Sequence, residues 1–342
     1  MTVKDVAKAF NSASSLQISH GINFPDSVRL PTGNFDMDYA MGGGIPMGKV
    51  SIFWGSYSSG KTTLALKLAA NHQKLYPKFK VVLFDLEQSF QPDWARQLQV
   101  NTDDLVYVFP AYAERVIDMV MAMMEAPDCG LIIVDSMAVL SKQNEMESSA
   151  DKATVGGSTA VISKMFRKIM TKTGMLAVET KKVPTVLLIN QTRINIGQMF
   201  GDPNEQPGGN APKHASSMTV RLWGKDVMDT NIHPTVPAWK EIKGTITKWR
   251  VPILARNFET NMAAIHNERL QQGEFDPWPL LKAESKRLGL LSQVKGGWDF
   301  HGQKYKTQNQ IVAALADQSY SMAAQKSVTD AAIADLNKHA KV

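Results

Sequence analysis

The stretch Gly55-Ser56-Tyr57-Ser58-Ser59-Gly60-Lys61-Thr62 has the residue types and spacing to hold a phosphate chain. Glycines at its two ends let the backbone curl until several N–H groups converge on anionic oxygens, and a following helix N-terminus adds favourable electrostatics. Lys61 is placed to reach the β- and γ-phosphates, and the Thr62 hydroxyl, with Thr63 behind it, to ligate Mg²⁺. Such a loop works only if two elements aim it. The apolar run Val50-Ser51-Ile52-Phe53-Trp54 reads as a strand, and Thr63-Leu64-Ala65-Leu66-Lys67-Leu68-Ala69-Ala70 as a helix. Strand, glycine loop and helix together turn the match into a nucleotide-binding expectation.

Further chemistry follows other short apolar runs. Asp135 comes directly after Leu131-Ile132-Ile133-Val134, where an acid can hold Mg²⁺ or its water shell; taken alone it also suits a helix cap. After Val81-Val82-Leu83-Phe84 come Asp85 and Glu87, either of which could orient a water or take its proton. Residues two apart on an extended chain face the same side, so spacing does not choose between them. Trp94 could stack on adenine or lie half-buried at the surface. Asn190-Gln191-Thr192-Arg193 follows the run Thr185–Ile189. It opens a long stretch from Ile194 to about Ser217, broken by Gly197, Gly201, Pro203, Pro207, Gly208, Gly209 and Pro212. Loops this long are usually functional or disordered. A second candidate loop runs from Ser148 to Gly157. Both could offer backbone amides to a phosphate chain, the longer one adding Arg193 and Lys213.

Alternation of these strands with helical segments such as Ala113–Met124 and Val161–Met170 predicts an α/β fold, a mostly parallel sheet between helices. Ligands of such sheets sit at the carboxyl ends of the strands, where the residues above fall. The 342 residues, 44% hydrophobic, suffice for about two domains. A net charge of +6 is compatible with a polyanionic partner. Cys129, the one cysteine, cannot form an internal disulfide, which with no signal peptide points to a reducing cytoplasm. The Leu131–Val134 run is too short to span a bilayer, so no membrane partner is expected.

These residues also carry a resemblance. Pro31-Thr32-Gly33, Gly43-Gly44-Ile45-Pro46-Met47-Gly48-Lys49-Val50, Ser58-Ser59-Gly60-Lys61-Thr62-Thr63-Leu64, Asp85-Leu86-Glu87, Ile132-Ile133-Val134-Asp135-Ser136 and Asn190-Gln191-Thr192-Arg193 run in the order and spacing of the RecA family of homologous recombinases. The most specific stretch is Ile196-Gly197-Gln198-Met199-Phe200-Gly201 followed by Gly208-Gly209-Asn210-Ala211. The similarity covers about residues 30–255 and resumes weakly at Gly296-Gly297-Trp298-Asp299-Phe300-His301-Gly302.

The resemblance implies a RecA-like P-loop ATPase core at 31–273, a short N-terminal arm at 1–30 and a small α+β C-terminal domain at 274–342. It implies ATP and Mg²⁺ as cofactors, held by the Gly55–Thr63 stretch, Trp94 and Asp135, with Thr62 and Asp135 on the metal. Glu87 matches the catalytic glutamate, Gln191 the glutamine that senses the γ-phosphate, and Lys248 and Arg250 a basic pair that reaches ATP from a neighbouring subunit. Without the family, Lys248-Trp249-Arg250 reads as the exposed face of a strand. The DNA-binding loops, about 148–157 and 194–210, would contribute Val155, Gly156, Gly157, Arg193, Ile194, Asn195, Gly208, Gly209 and Asn210, with Arg167 and Lys213 nearby. The partners implied are single-stranded DNA, a homologous duplex and further copies of the chain in a helical filament, in recombination and repair. The site of action would be the cytoplasm, at the nucleoid or in a host cell if the chain is viral.

The sequence departs from the family pattern in places. Ala160 stands where an arginine follows the first loop, His214 where an interface aromatic is expected, and the acidic tail is absent. Two rivals share the motifs: a ring-forming helicase or ATPase motor, and a nucleotide-gated regulatory protein that hydrolyses little ATP.

Overall fold

The structure, a computed structural model, describes residues 28–109, 113–140, 157–179, 182–194, 204–209 and 211–339. The expected N-terminal arm lies almost wholly outside them. A two-residue strand β1 (Arg29–Leu30) pairs with β2 (Ile45–Pro46), and between them runs the short helix α1 (Phe35–Ala40). Asn34 caps α1 by accepting from the Met37 N–H at 2.8 Å, and its amide donates to Thr260 at 2.9 Å.

The central unit alternates as the sequence predicts. It comprises β3 (Val50–Gly55), α2 (Lys61–Leu75), β4 (Lys80–Asp85), α3 (Pro92–Gln97), β5 (Leu105–Val108), α4 (Ala113–Glu125), β6 (Cys129–Asp135), α5 (Gly157–Glu179) and β7 (Thr185–Gln191). A ribbon, β8 (Arg193–Ile194) with β9 (Asn204–Glu205), leads to helix α6 (Ala211–Ala215) and strands β10 (Met218–Val227), β11 (Trp239–Trp249) and β12 (Asn257–Ala263). Eight strands form one sheet in the order β12-β11-β10-β3-β7-β6-β4-β5. All neighbours from β10 to β5 run parallel; β11 and β12 add antiparallel pairs at the other edge.

The apolar runs are continuous because both faces are covered. Phe53, Leu83, Leu131, Ile133 and Ile189 enter one core with Leu64 and Leu68 of α2. Their neighbours Ile52, Val82, Ile132, Val134 and Leu188 enter the other, with Val116 and Val120 of α4 and Met165 and Phe166 of α5. This is the side-chain alternation of a strand buried on both sides. β10 and all of β11 but its end at Lys248-Trp249 were not expected, for the converse reason. Along β11, Ile242, Gly244 and Ile246 are buried while Glu241, Lys243, Thr245 and Thr247 are not. One-sided burial yields alternating sequence rather than an apolar run.

After residue 274 come α7 (Trp278–Arg287), the sheet of β13 (Leu291–Val294), β14 (Gly297–Phe300) and β15 (Gln303–Tyr305), and helices α8 (Gln308–Ala314) and α9 (Gln318–His339). Their core joins Leu281, Leu291, Phe300, Ile311 and Val328 to Phe35 and Tyr39 of α1. The Tyr39 hydroxyl donates to Glu284 of α7 at 2.5 Å. Met37 and Ala40, from the same helix, belong to the sheet core. No helix among the described residues is long and apolar enough to cross a membrane.

Candidate active site

The phosphate loop leaves the carboxyl end of β3 and enters α2. A Cβ on Gly55 would lie 1.9 Å from the Leu222 carbonyl oxygen, so only glycine lets β10 pass this closely. Gly60 caps α2 at φ 86, a left-handed conformation that glycine adopts without strain. The buried Lys61 ammonium donates to the Gly55 carbonyl (3.2 Å), the Ser56 carbonyl (2.5 Å) and Ser59 Oγ (3.1 Å). Burial pulls its pKa down, and the nearby Asp135 and Glu87 oppose that. Tyr57 is 89% exposed at the loop's tip. Its contribution to a phosphate site would come from its backbone.

Thr62 Oγ1 donates to Asp135 Oδ2 at 2.6 Å, so the two residues expected on a metal lie side by side. Burial, followed by the neighbouring Glu87 and Asp85, pushes the Asp135 carboxyl up to about 6, against the pull of the Thr62 hydrogen bond and of Lys61. A hydroxyl and a carboxylate are hard oxygen donors. They fit Mg²⁺, which takes one or two protein oxygens and fills the rest of its sphere with water and phosphate. When bound, the ion would neutralise charge on the phosphates.

The structure separates the environments of the two candidate carboxylates. Asp85 accepts from the Ser89 N–H (3.3 Å), the Phe90 N–H (2.9 Å) and the Tyr107 hydroxyl (3.0 Å), bracing the turn that follows β4. Glu87 instead faces the strand ends, accepting from Ser136 Oγ and, at 2.6 Å, from Gln191 Nε2. Ser136 closes the Ile132–Ser136 stretch of the resemblance but was given no role; its place after Asp135 was the one signal for it. Gln191 ends β7 level with Gly55, and the Thr192 N–H donates to the Gly55 carbonyl at 3.1 Å. The exit of β7 is thereby stitched to the entrance of the phosphate loop.

Arg193 and Ile194 then pair with Glu205 and Asn204. The long stretch thus has structure at both ends: a two-residue ribbon and α6. The Asn190 amide donates to the Pro207 carbonyl at 3.0 Å. A Cβ on Gly208 would lie 2.7 Å from Ile162 Cγ2, so the returning backbone rests on α5. Gly209 follows, also at positive φ, and Lys213 is exposed on α6. Val155, Gly156, Asn195 and Asn210 lie outside the described residues, as does the first loop except Gly157 at the start of α5. Arg167 is exposed on that helix, ten residues and about 15 Å of rise beyond Gly157.

Trp94 is half-buried on α3. A Cβ on Gly273 would be 3.4 Å from its Cη2, which places the ring beside the turn after β12. Lys248 and Arg250 do not approach their own phosphate loop. Lys248 pairs across from Thr219, which is level with Ile52, whereas Gly55 is level with Leu222. That is two strands away and three residues back, roughly 10 Å in each direction. Lys248 donates to the Lys213 carbonyl, and Arg250 to the His214 carbonyl at 2.6 Å. Burial and then Arg250 push the Lys248 ammonium down to about 8.

Comparison with known proteins agrees with this geometry. The RecA N-terminal domain model matches residues 1–262. Protein RecA of Geobacter sulfurreducens is 30% identical over 257 residues, covering 71% of this chain and 74% of that protein. Protein RecA of Geobacter metallireducens is 34% identical over 223 residues, covering 65% and 63%, and that of Nitratidesulfovibrio vulgaris 35% over 224 residues, covering 65% and 58%. The chain thus spans between 58 and 74% of the lengths of these three relatives. With an eight-stranded sheet between helices, a phosphate loop at the end of β3 and that match over three quarters of its length, the chain belongs to the RecA family.

Proposed function

We propose that this chain is an ATP-dependent DNA recombinase. It hydrolyses ATP, assembles as a helical filament on single-stranded DNA and exchanges that strand with a homologous duplex. The observation that carries this reading is the bond from Gln191 to Glu87. One end of Gln191 touches the carboxylate best placed to orient a water, and two residues on begins the ribbon of a glycine-rich loop. A side chain that touches this carboxylate and stands so close in sequence to a candidate DNA-binding loop is what coupling of ATP to DNA would require. Glu87, Lys61 and Gln191 act on the γ-phosphate in this reading. The 148–157 and 194–210 loops, with Arg167, Arg193 and Lys213, follow the DNA backbone.

Electron microscopy with a slowly hydrolysed ATP analogue and single-stranded DNA tests assembly and partner together. Open helical filaments are expected, with binding that weakens steeply as salt rises and varies little with base sequence. Closed rings would favour a ring motor. A tight preference for one duplex sequence with a flat salt response would remove the recombinase reading.

The position of Lys248 and Arg250, away from their own loop, favours delivery to the ATP of a neighbouring copy, where they would neutralise developing phosphate charge as an arginine finger does. Mixing Lys61→Ala protein with Lys248→Ala, Arg250→Ala protein is then expected to restore turnover at mixed interfaces. No gain over either variant alone, in co-assemblies verified by cross-linking, would count against a shared site.

A further inference from the structure

Strand β11 runs along the outside of the phosphate loop. A Cβ on Gly60 would lie 2.5 Å from Ile242 Cδ1, so Ile242 abuts the loop's end. Two residues earlier, Lys240 Nζ donates to Ser58 Oγ at 3.1 Å and lies 2.8 Å from Asp226 Oδ1. The Lys240 side chain is only 13% exposed. Its stem is admitted by Gly224 of β10, where a Cβ would come within 3.5 Å of Lys240 Cε, 3.7 Å of the Ser58 carbonyl oxygen and 2.9 Å of the Glu241 carbonyl oxygen. Ser58 has φ 58, a left-handed conformation uncommon for a residue with a side chain. Such a conformation persists where the surroundings enforce it.

We infer that Lys240 is a positioning residue for the nucleotide: it holds Ser58, and through it the phosphate loop, from outside, and its charge adds to that of Lys61 in attracting the phosphate chain. Asp226 opposes the second effect, because it shares the same ammonium and carries charge of the same sign as the ligand. The inference rests on the nucleotide reading of the loop and deepens it. It differs from the bland alternative that Lys240 and Asp226, which face each other in the β10–β11 register, form a cross-strand ion pair and nothing more. A cross-strand pair makes its two partners equivalent: losing either weakens the sheet and leaves nucleotide affinity alone. A loop anchor makes them opposite.

Calorimetric titration of ATP with Mg²⁺ into the full chain distinguishes the two. Lys240→Met keeps the aliphatic stem over Gly224 and removes the charge, so it tests the ammonium without opening a gap. Its Kd for ATP is expected to rise about tenfold, the scale of one charge-assisted hydrogen bond. Ser58→Ala should raise Kd similarly, and the double variant by less than the product of the two, since they act through one bond. Asp226→Asn, which releases the ammonium from its partner, is expected to lower Kd two- to threefold, a rough figure for one exposed opposing charge. Equal affinity in the parent and Lys240→Met, or weaker binding in Asp226→Asn, would overturn the inference and leave a cross-strand pair. Failure of the parent itself to bind ATP would overturn the nucleotide reading, and this inference with it.

Discussion

Glu87→Gln is expected to bind ATP as the parent does and to lose turnover by about 10²–10⁴-fold, the usual scale for removing a general base. The amide has the shape of the carboxylate, and its oxygen can still accept from Ser136 and from Gln191. What disappears is basicity at the one of the two carboxylates after β4 that is not engaged in bracing a turn. Asp85→Asn is the informative partner. Its carboxylate accepts two backbone N–H groups and the Tyr107 hydroxyl, so its replacement should lower stability more than it selectively lowers the rate. Steady-state phosphate release, nucleotide titration and denaturant midpoints on both variants decide the matter. Turnover near the parent's in Glu87→Gln would remove Glu87 from the mechanism and return attention to Asp85.

Gln191→Ala should separate two activities that the proposed function couples in the parent. The variant keeps Lys61, Thr62 and Asp135, and so should bind nucleotide. It loses the donor that reaches Glu87 from the residue level with Gly55. An amide can donate to one group while accepting from another, so Gln191 can exchange Glu87 for the γ-phosphate region only when a triphosphate is present. That difference in contact is what would bias the glycine-rich loop toward a DNA-binding form, and linkage then makes DNA tighten ATP equally. Single-strand affinity measured with ATP analogue, with ADP and without nucleotide should differ strongly in the parent and little in the variant. A rise with ATP analogue as large as the parent's would show that the switch lies elsewhere, with Lys248, Arg250 or the contact between copies as the next candidates.

Strands β3, β4, β6 and β7 could be read from the sequence because each is buried on both faces, and a short run of β-branched and aliphatic residues has few other uses; β5, at the sheet edge with Val106 and Tyr107 exposed, could not. The residues that follow those runs were legible for the same reason: a strand's end fixes where its next side chain points. Asp85 and Glu87 show the limit. Their two-residue spacing carries no preference; what distinguishes them is the Ser89 and Phe90 N–H groups and Tyr107 on a neighbouring strand for Asp85, and Gln191, over a hundred positions away, for Glu87. Lys240 shows it again. In sequence it is one charged residue in an alternating stretch, and its approach to Ser58 depends on a glycine on another strand. Pairwise contacts across long separations leave no local period to detect.

The six residues of α1 have a consequence for how the two halves of the molecule are held. Phe35 and Tyr39 are 5% and 7% exposed, and both close the C-terminal core, while Met37 and Ala40 of the same helix close the sheet core. Each buried ring contributes roughly 2–3 kcal/mol to the body it enters. A cut after Gly273 would therefore sever the polypeptide without severing the apolar surface, leaving two aromatic rings on the side of the eight-stranded sheet with nothing to cover them. Polypeptide order assigns α1 to one body and packing assigns it to both. The C-terminal body is accordingly mounted on the first rather than tethered to it: α1 acts as a dowel, and its orientation is set by rings seated in both pieces instead of by the length of a linker.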